Sequence, residues 1–243
     1  MINIVIPLGN ISKFFDESDY QYPKPLIEVN GKIMIQHVIE NLSSINEEKK
    51  FIFILREQDC FQYHLDNTIK LLTNNESIII KIRSETRGAA CSTLLAIDYI
   101  NNDNPLIIAN GDQIFDFSLN EYINNFQKNR IDAGCLCFDS VHPRWSYVRL
   151  ENENIIETAE KKPISNKAIA GFYFFVNGRI FVEAAFNMIK KDVNYDSQFF
   201  ISPVLNELIL LNKKLMAFNI PSLSYHTFYS PQKIEEYEKI VRQ

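Results

Sequence analysis

The chain has 243 residues, 46% of them hydrophobic and 12% aromatic, which is ample for one well-buried α/β domain. Its formal net charge is -5 with both signs interspersed, so no basic block invites a nucleic-acid backbone as partner. No apolar run reaches membrane-spanning length, and Met1-Ile2-Asn3 lacks the basic start of a signal peptide; the expectation is a cytoplasmic protein with no membrane partner.

In chain order, residues 3–8 ("NIVIPL") read as a buried strand and residues 33–45 ("IMIQHVIENLSSI") as a helix with Ile35, Val38, Ile39 and Leu42 on one side. Residues 50–55 ("KFIFIL") predict a strand, 62–72 ("QYHLDNTIKLL") a helix and 77–82 ("SIIIKI") a strand. Residues 87–100 ("RGAACSTLLAIDYI") open on a glycine and continue as a helix, and 105–112 ("PLIIANGD") form a strand that ends in a polar turn. Strand signals dominate beyond residue 133, in "AGCLCF", "SYVRL" and "AIAGFYFFV". The alternation predicts an α/β fold: a Rossmann-like, doubly wound, mostly parallel central sheet with helices on both faces and a small β-rich lobe. No repeat, low-complexity stretch or linker divides it, so residues 1–243 are read as a single domain. Cys135 and Cys137 share a strand face, and no further Cys or His pair completes a zinc set; the four cysteines are read as reduced packing residues.

Ligands of such sheets sit beyond the carboxyl ends of the strands. Residues 9–13, 87–90 and 110–112 therefore share one rim. Asp112 follows an apolar strand, where its carboxylate can hold a hard cation or simply cap a turn. Lys24 stands between Pro23 and Pro25, a stiffened point charge suited to phosphate oxygens, or a solvated loop charge. Gly9 permits close backbone approach to an anion, with Ser12 and Lys13 adding a hydroxyl and a charge. Gly88 opens a helix whose amides can face a base or phosphate.

The order of these pieces resembles the sugar-1-phosphate nucleotidyltransferases. "IVIPLGNISKFF" looks like the family's triphosphate loop, and "PKPLIEVNGKIMIQHVIENL" resembles its Pro-Lys-Pro signature, the most specific part of the match. "RGAACSTLLA" resembles the base-reading turn, "LIIANGDQIF" the strand of the metal aspartate, and "AEKKP" and "AIAGFYFF" the acceptor segments. The resemblance implies transfer of NMP from an NTP to a phosphorylated acceptor, with Mg²⁺ on Asp112 and pyrophosphate released. It implies catalysis by Lys24, Lys13 and Asp112, and nucleotide contacts from Leu8, Gly9, Asn10, Ser12, Arg87, Gly88, Ala89 and Gly111. Ser146, Glu160, Lys161, Lys162, Gly171 and Gln198 would bind the acceptor. Residues 1–132 would form the nucleotide half and 133–243 the acceptor half, compatible with a homo-oligomer.

Departures from the pattern sharpen the expectation. The loop appears one residue short, with Ile11 where a second glycine is expected and Lys13 in place of an arginine. Thr227 falls about where many members carry a second metal carboxylate. Glu160-Lys161-Lys162-Pro163 replaces the usual Glu-Lys-Pro; if Lys162-Pro163 aligns with Lys-Pro, Lys161 takes the place of the hydroxyl-gripping acid. A lysine has donors and no acceptor, so it suits a second anionic group, or is a solvated loop charge. A subgroup with similar "GAAC", "HPRWS" and "EKKP" stretches belongs to bacterial capsule loci, and one related activity there is CTP-dependent cytidylylation of L-glutamine phosphate. The expectation is thus a CTP-favouring transferase in capsule or surface polysaccharide biosynthesis. A sugar-1-phosphate uridylyl- or thymidylyltransferase and a non-catalytic nucleotide-binding subunit are the alternatives.

Overall fold

β-branched and aromatic runs form strands, and apolar residues at helical spacing form helices, over residues 1–11, 14–15 and 20–242 described by a computed structural model. The first half runs β1 (Ile2–Leu8), β2 (Glu28–Val29), β3 (Lys32–Ile33), α1 (Met34–Ser43), β4 (Lys49–Arg56), α2 (Glu57–Tyr63), α3 (Leu65–Leu72) and β5 (Ile78–Ile82). It continues through α4 (Ala89–Leu94), α5 (Ile97–Ile100), β6 (Leu106–Ala109) and β7 (Gln113–Phe115). Then follow α6 (Leu119–Lys128), β8 (Ala133–Asp139), β9 (Tyr147–Glu151), β10 (Asn154–Ala159), β11 (Lys167–Phe175) and α7 (Gly178–Lys190). α8 (Ser202–Leu210), β12 (Leu215–Asn219), β13 (Tyr225–Thr227) and α9 (Pro231–Val241) complete the order.

The central sheet has nine strands in the order β5-β4-β1-β6-β11-β8-β12-β10-β9. β5, β4, β1 and β6 are mutually parallel, as the alternation predicts. β11 then enters antiparallel to both β6 and β8, which makes one sheet of the two halves. Successive strand residues feed opposite cores. Ile4, Ile6, Phe53, Phe172 and Phe174 pack under α1, α3 and α6, while Val5, Ile52, Ile54, Cys135 and Cys137 pack under α4, α7 and α8. All four cysteines are free.

Two predicted helices are interrupted. The 62–72 segment breaks at His64, whose left-handed φ of 54° ends α2 and lets Leu65 and Ile69 of α3 reach the core. The 87–100 segment splits into α4 and α5, because Ala96 leaves helical geometry and turns Ile100 inward.

Phe174 is almost fully buried and stacks on Phe126 with ring centres 5.0 Å apart and planes at 3°. Phe174→Ala should cost about 3–5 kcal/mol of unfolding free energy, read as a lowered denaturant midpoint at unchanged slope.

Candidate active site

β1, β4 and β6 end side by side, and a cavity of about 310 Å³ opens beyond them. Leu8, Asn10, Lys24, Arg56, Asp59, Gly111 and Asp112 are among its lining residues. A wider hollow of about 670 Å³ lies at the β5 edge, but its charges pair with one another: Lys81 with Asp66 at 2.6 Å and Arg83 with Glu57 at 3.1 Å. The smaller cavity holds the Lys24–Asp112 pair.

Lys24 is fixed by a 3-10 turn in which the Leu26 amide donates to Pro23 O (2.8 Å) and Pro25 is buried. Its ammonium donates to Asp112 Oδ2 across 88 residues of sequence, with both side chains about a fifth exposed. The Asp112 turn is clamped on several sides. Asn110 N donates to Gly171 O (3.0 Å), Gln113 Nε2 donates to the same carbonyl (2.9 Å), and Phe228 N donates to Asp112 O (2.7 Å). Tyr225 Oη donates to Gln113 Oε1 at 3.0 Å. Gly171 makes this possible: it sits at a β-bulge with φ +60°, and a Cβ there would lie 2.2 Å from Asn110 Nδ2. Gly171 thus faces the Asp112 turn as a backbone acceptor.

The pairing of β13 with β7 places Thr227 opposite Gln113, next to Asp112, where a second carboxylate was expected. Its Oγ1 is buried and has no hydrogen-bond partner among the described residues. Among the described residues no group of three or more His, Cys, Asp or Glu forms a metal cage. A single carboxylate at a strand end fits Mg²⁺, which usually takes one or two carboxylates and completes its shell with phosphates and water.

Glu160 follows β10 and is gripped by two hydroxyls. Ser146 Oγ and Ser202 Oγ both donate to Oε2, the second at 2.7 Å. Burial pushes the Glu160 carboxyl above the usual range, against the pull of both serines and Lys161. Lys161, at φ 50°, lays its ammonium over the Phe200 and Tyr195 rings at 4.7 and 5.1 Å. Lys162 and Gln198 are exposed.

Other expected residues sit differently. Ser12 and Lys13 lie outside the described residues. Gly88 has φ +102° and is pressed against the backbone of Phe199, where a Cβ would lie 2.5 Å from the carbonyl oxygen. The Ala90 amide, expected to face a base or phosphate, donates to that same Phe199 carbonyl at 3.0 Å, because tertiary packing claimed it first. Arg87 Nε donates to Ser197 O (3.2 Å) and the guanidinium lies 4.8 Å over Phe199. Arg87, Gly88 and Ala89 therefore adjoin the segment before α8, and none lines the Lys24 cavity. Sequence reading missed Arg56 and Asp59, an ion pair at 3.7 Å on the cavity wall; Arg56 ends the buried parallel strand β4 and Asp59 lies in the first turn of α2 directly after it, which was the available signal.

Residues 19–218 match the nucleotidyl transferase family. The chain belongs to that family. Among relatives, the UTP--glucose-1-phosphate uridylyltransferase AglF of Haloferax volcanii is 27% identical over 159 residues, 63% of this chain and 63% of that protein. The bifunctional protein GlmU of Methanocaldococcus jannaschii is 28% identical over 162 residues, 63% of this chain and 35% of that protein. The matches thus span less than two thirds of these relatives. The fold of this nucleotidyl transferase family member is shared with the nucleoside-diphosphate-sugar pyrophosphorylase of Vibrio cholerae (TM-score 0.84, 22% identity, 97% of this chain and 99% of that one). It is also shared with the inositol-1-phosphate CTP transferase of T. maritima (TM-score 0.76, 13% identity, 99% and 94%).

The Glu160 carboxyl keeps its proton to higher pH when folded than when unfolded, so its contribution to stability is present at low pH and is lost as pH rises through the raised value. Glu160→Gln removes that loss. Its melting temperature relative to wild type should rise as the pH climbs from the ordinary carboxylate range through the raised value; a pH-independent difference would show that burial does not govern this carboxyl.

Proposed function

We infer that this protein transfers NMP from an NTP, with CTP favoured, to a phosphorylated small molecule, and releases pyrophosphate. The observation that carries the reading is the Lys24–Asp112 pair, a fixed cation against a fixed carboxylate in a strand-end cavity of nucleotide scale. An acceptor phosphate oxygen attacks the α-phosphorus, the bond to the bridging oxygen breaks, and its electron pair leaves with pyrophosphate. The attacking group is already anionic, so no side chain must remove a proton. Lys24 orients the polyphosphate and meets the charge that grows on the leaving group. Asp112 would hold Mg²⁺, which supplies further neutralisation of phosphate charge when bound. Leu8, Tyr22, Pro23 and Pro25 line the wall beside this pair.

The acceptor is read as carrying an anionic group besides its phosphate, L-glutamine phosphate being one example. The cations of Lys161 and Lys162 support this, and the two aromatic rings leave ammonium donors of Lys161 available. The preference for CTP and the place in capsule or surface polysaccharide biosynthesis rest on the resemblance of the "GAAC", "HPRWS" and "EKKP" stretches. One observation favours a second reading, a sugar 1-phosphate acceptor with UTP or dTTP. Among the described residues Glu160 is steadied through Oε2 alone, which leaves Oε1 as an acceptor for a sugar hydroxyl.

Lys24→Ala should lower kcat by about 10²–10³ with the fold intact by circular dichroism, and Asp112→Asn should abolish Mg²⁺-dependent pyrophosphate release. Near-normal turnover of either variant at saturating NTP would sink the assignment. A screen of four NTPs against phosphorylated acceptors separates the acceptor readings. Lys161→Glu should cost roughly 2–4 kcal/mol in kcat/KM for an acid-bearing acceptor and leave the KM for NTP unchanged. Preference for glucose 1-phosphate with a silent Lys161→Glu would establish the sugar reading instead.

A further inference from the structure

Arg144 lies in the turn between β8 and β9, and that turn is pinned at every step. Ser140 N donates to Asn166 O (3.0 Å), Trp145 N to His142 O (3.3 Å), Tyr147 Oη to His142 O (2.6 Å) and Arg144 N to His142 Nδ1 (3.3 Å). The guanidinium is consequently held in one place. Its central carbon lies 3.0 Å from the centre of the Tyr229 ring, 4.9 Å from that of Trp145 and 5.8 Å from that of Phe14. Among the described residues the buried Nε has no hydrogen-bond partner and no carboxylate pairs with this arginine. Aromatic faces replace part of the water that a guanidinium gives up, but they do not neutralise it. A half-buried, fixed arginine with no ion pair among the described residues is a receptor for an oxyanion, which its planar donor array can grip with two hydrogen bonds.

The surroundings of Arg144 decide which oxyanion. Tyr229 directly follows Phe228, whose amide is bonded to the Asp112 carbonyl at 2.7 Å. Two residues along the turn from Arg144, Ser146 donates to Glu160. Arg144 does not line the Lys24 cavity. In-line transfer brings the nucleophile to the α-phosphorus from the side opposite the leaving pyrophosphate. With the pyrophosphate assigned to Lys24, a cation stacked on the residue after Phe228 and two residues from the serine that grips Glu160 belongs with the nucleophile's side.

We propose that Arg144 binds an anionic group of the acceptor, a carboxylate or phosphate oxygen pair, and so helps to select acidic acceptors. The proposal rests on the transfer reading above. It is tested with wild type, Arg144→Gln and Arg144→Lys, using O-phospho-L-serine and phosphoethanolamine, which differ by one carboxylate, together with glucose 1-phosphate. Trp145, the chain's single tryptophan, adjoins the guanidinium and reports binding by fluorescence without any turnover. Arg144→Gln should weaken acceptor binding and raise acceptor KM by about 10–100-fold, with the KM for NTP within about twofold. Arg144→Lys, which retains the charge and the stem, should lie between. A loss confined to phosphoserine assigns the carboxylate, and an equal loss for all three acceptors assigns the attacking phosphate. Unchanged acceptor affinity in folded variants, a rise in the KM for NTP instead, or no acceptor binding to wild type at about 10 mM, weaker than any ordinary substrate KM, would overturn the proposal. Fluorescence binding that depends on Arg144, without pyrophosphate release for any NTP, would overturn the transfer reading and leave the anion site standing.

Discussion

The backbone around Asp112 is the constraint on which the rest of the site depends. Its turn is bonded to Gly171 through Asn110 and Gln113, and to Phe228 through its own carbonyl. Tyr225 completes the set by donating to Gln113. Buried polar groups without partners are costly, so displacing this turn would strand several donors together. The carboxylate therefore stands at a fixed point, and Lys24, stiffened by prolines on either side, meets it there.

That constraint also explains why β11 runs antiparallel between β6 and β8. Its bulge delivers Gly171 to the Asp112 turn from the side on which the second half of the chain attaches. The same strand pairs with β9 at Ala168–Tyr147, one residue from Ser146. The segment that grips Glu160 is thus built on the strand that clamps the aspartate. Movement of one half against the other would cost hydrogen bonds in both.

The chain is acidic overall, with net charge -5, yet Lys24 and Arg56 line the strand-end cavity, and Arg144 and Lys161 are held over aromatic rings elsewhere on the surface. Cations held in a concave, partly apolar surface focus field toward an anionic ligand even when the whole molecule repels it. Aromatic rings under Arg144 and Lys161 hold these cations without neutralising them, as carboxylate partners would.

The sequence by itself determined the strands of the parallel half, Lys24 between its prolines and Asp112 at a strand end, because these follow from local pattern: apolar runs of strand length and punctuation by proline and glycine. The place of Thr227 in the segment bonded to Asp112 came from the resemblance instead, since it falls about where many members of the family carry a second carboxylate. Only the tertiary structure decided that the Ala90 amide belongs to Phe199 and that Arg87 turns to Ser197. It alone put Arg56 and Asp59 on the cavity wall and stacked Arg144 on Tyr229, a residue 85 positions away. Those outcomes depend on which distant segments share a surface, and pairings between donors and acceptors far apart in the chain leave no periodicity to read. The left-handed His64 that splits one predicted helix in two is of the same kind, a local propensity overruled so that Leu65 and Ile69 can be buried.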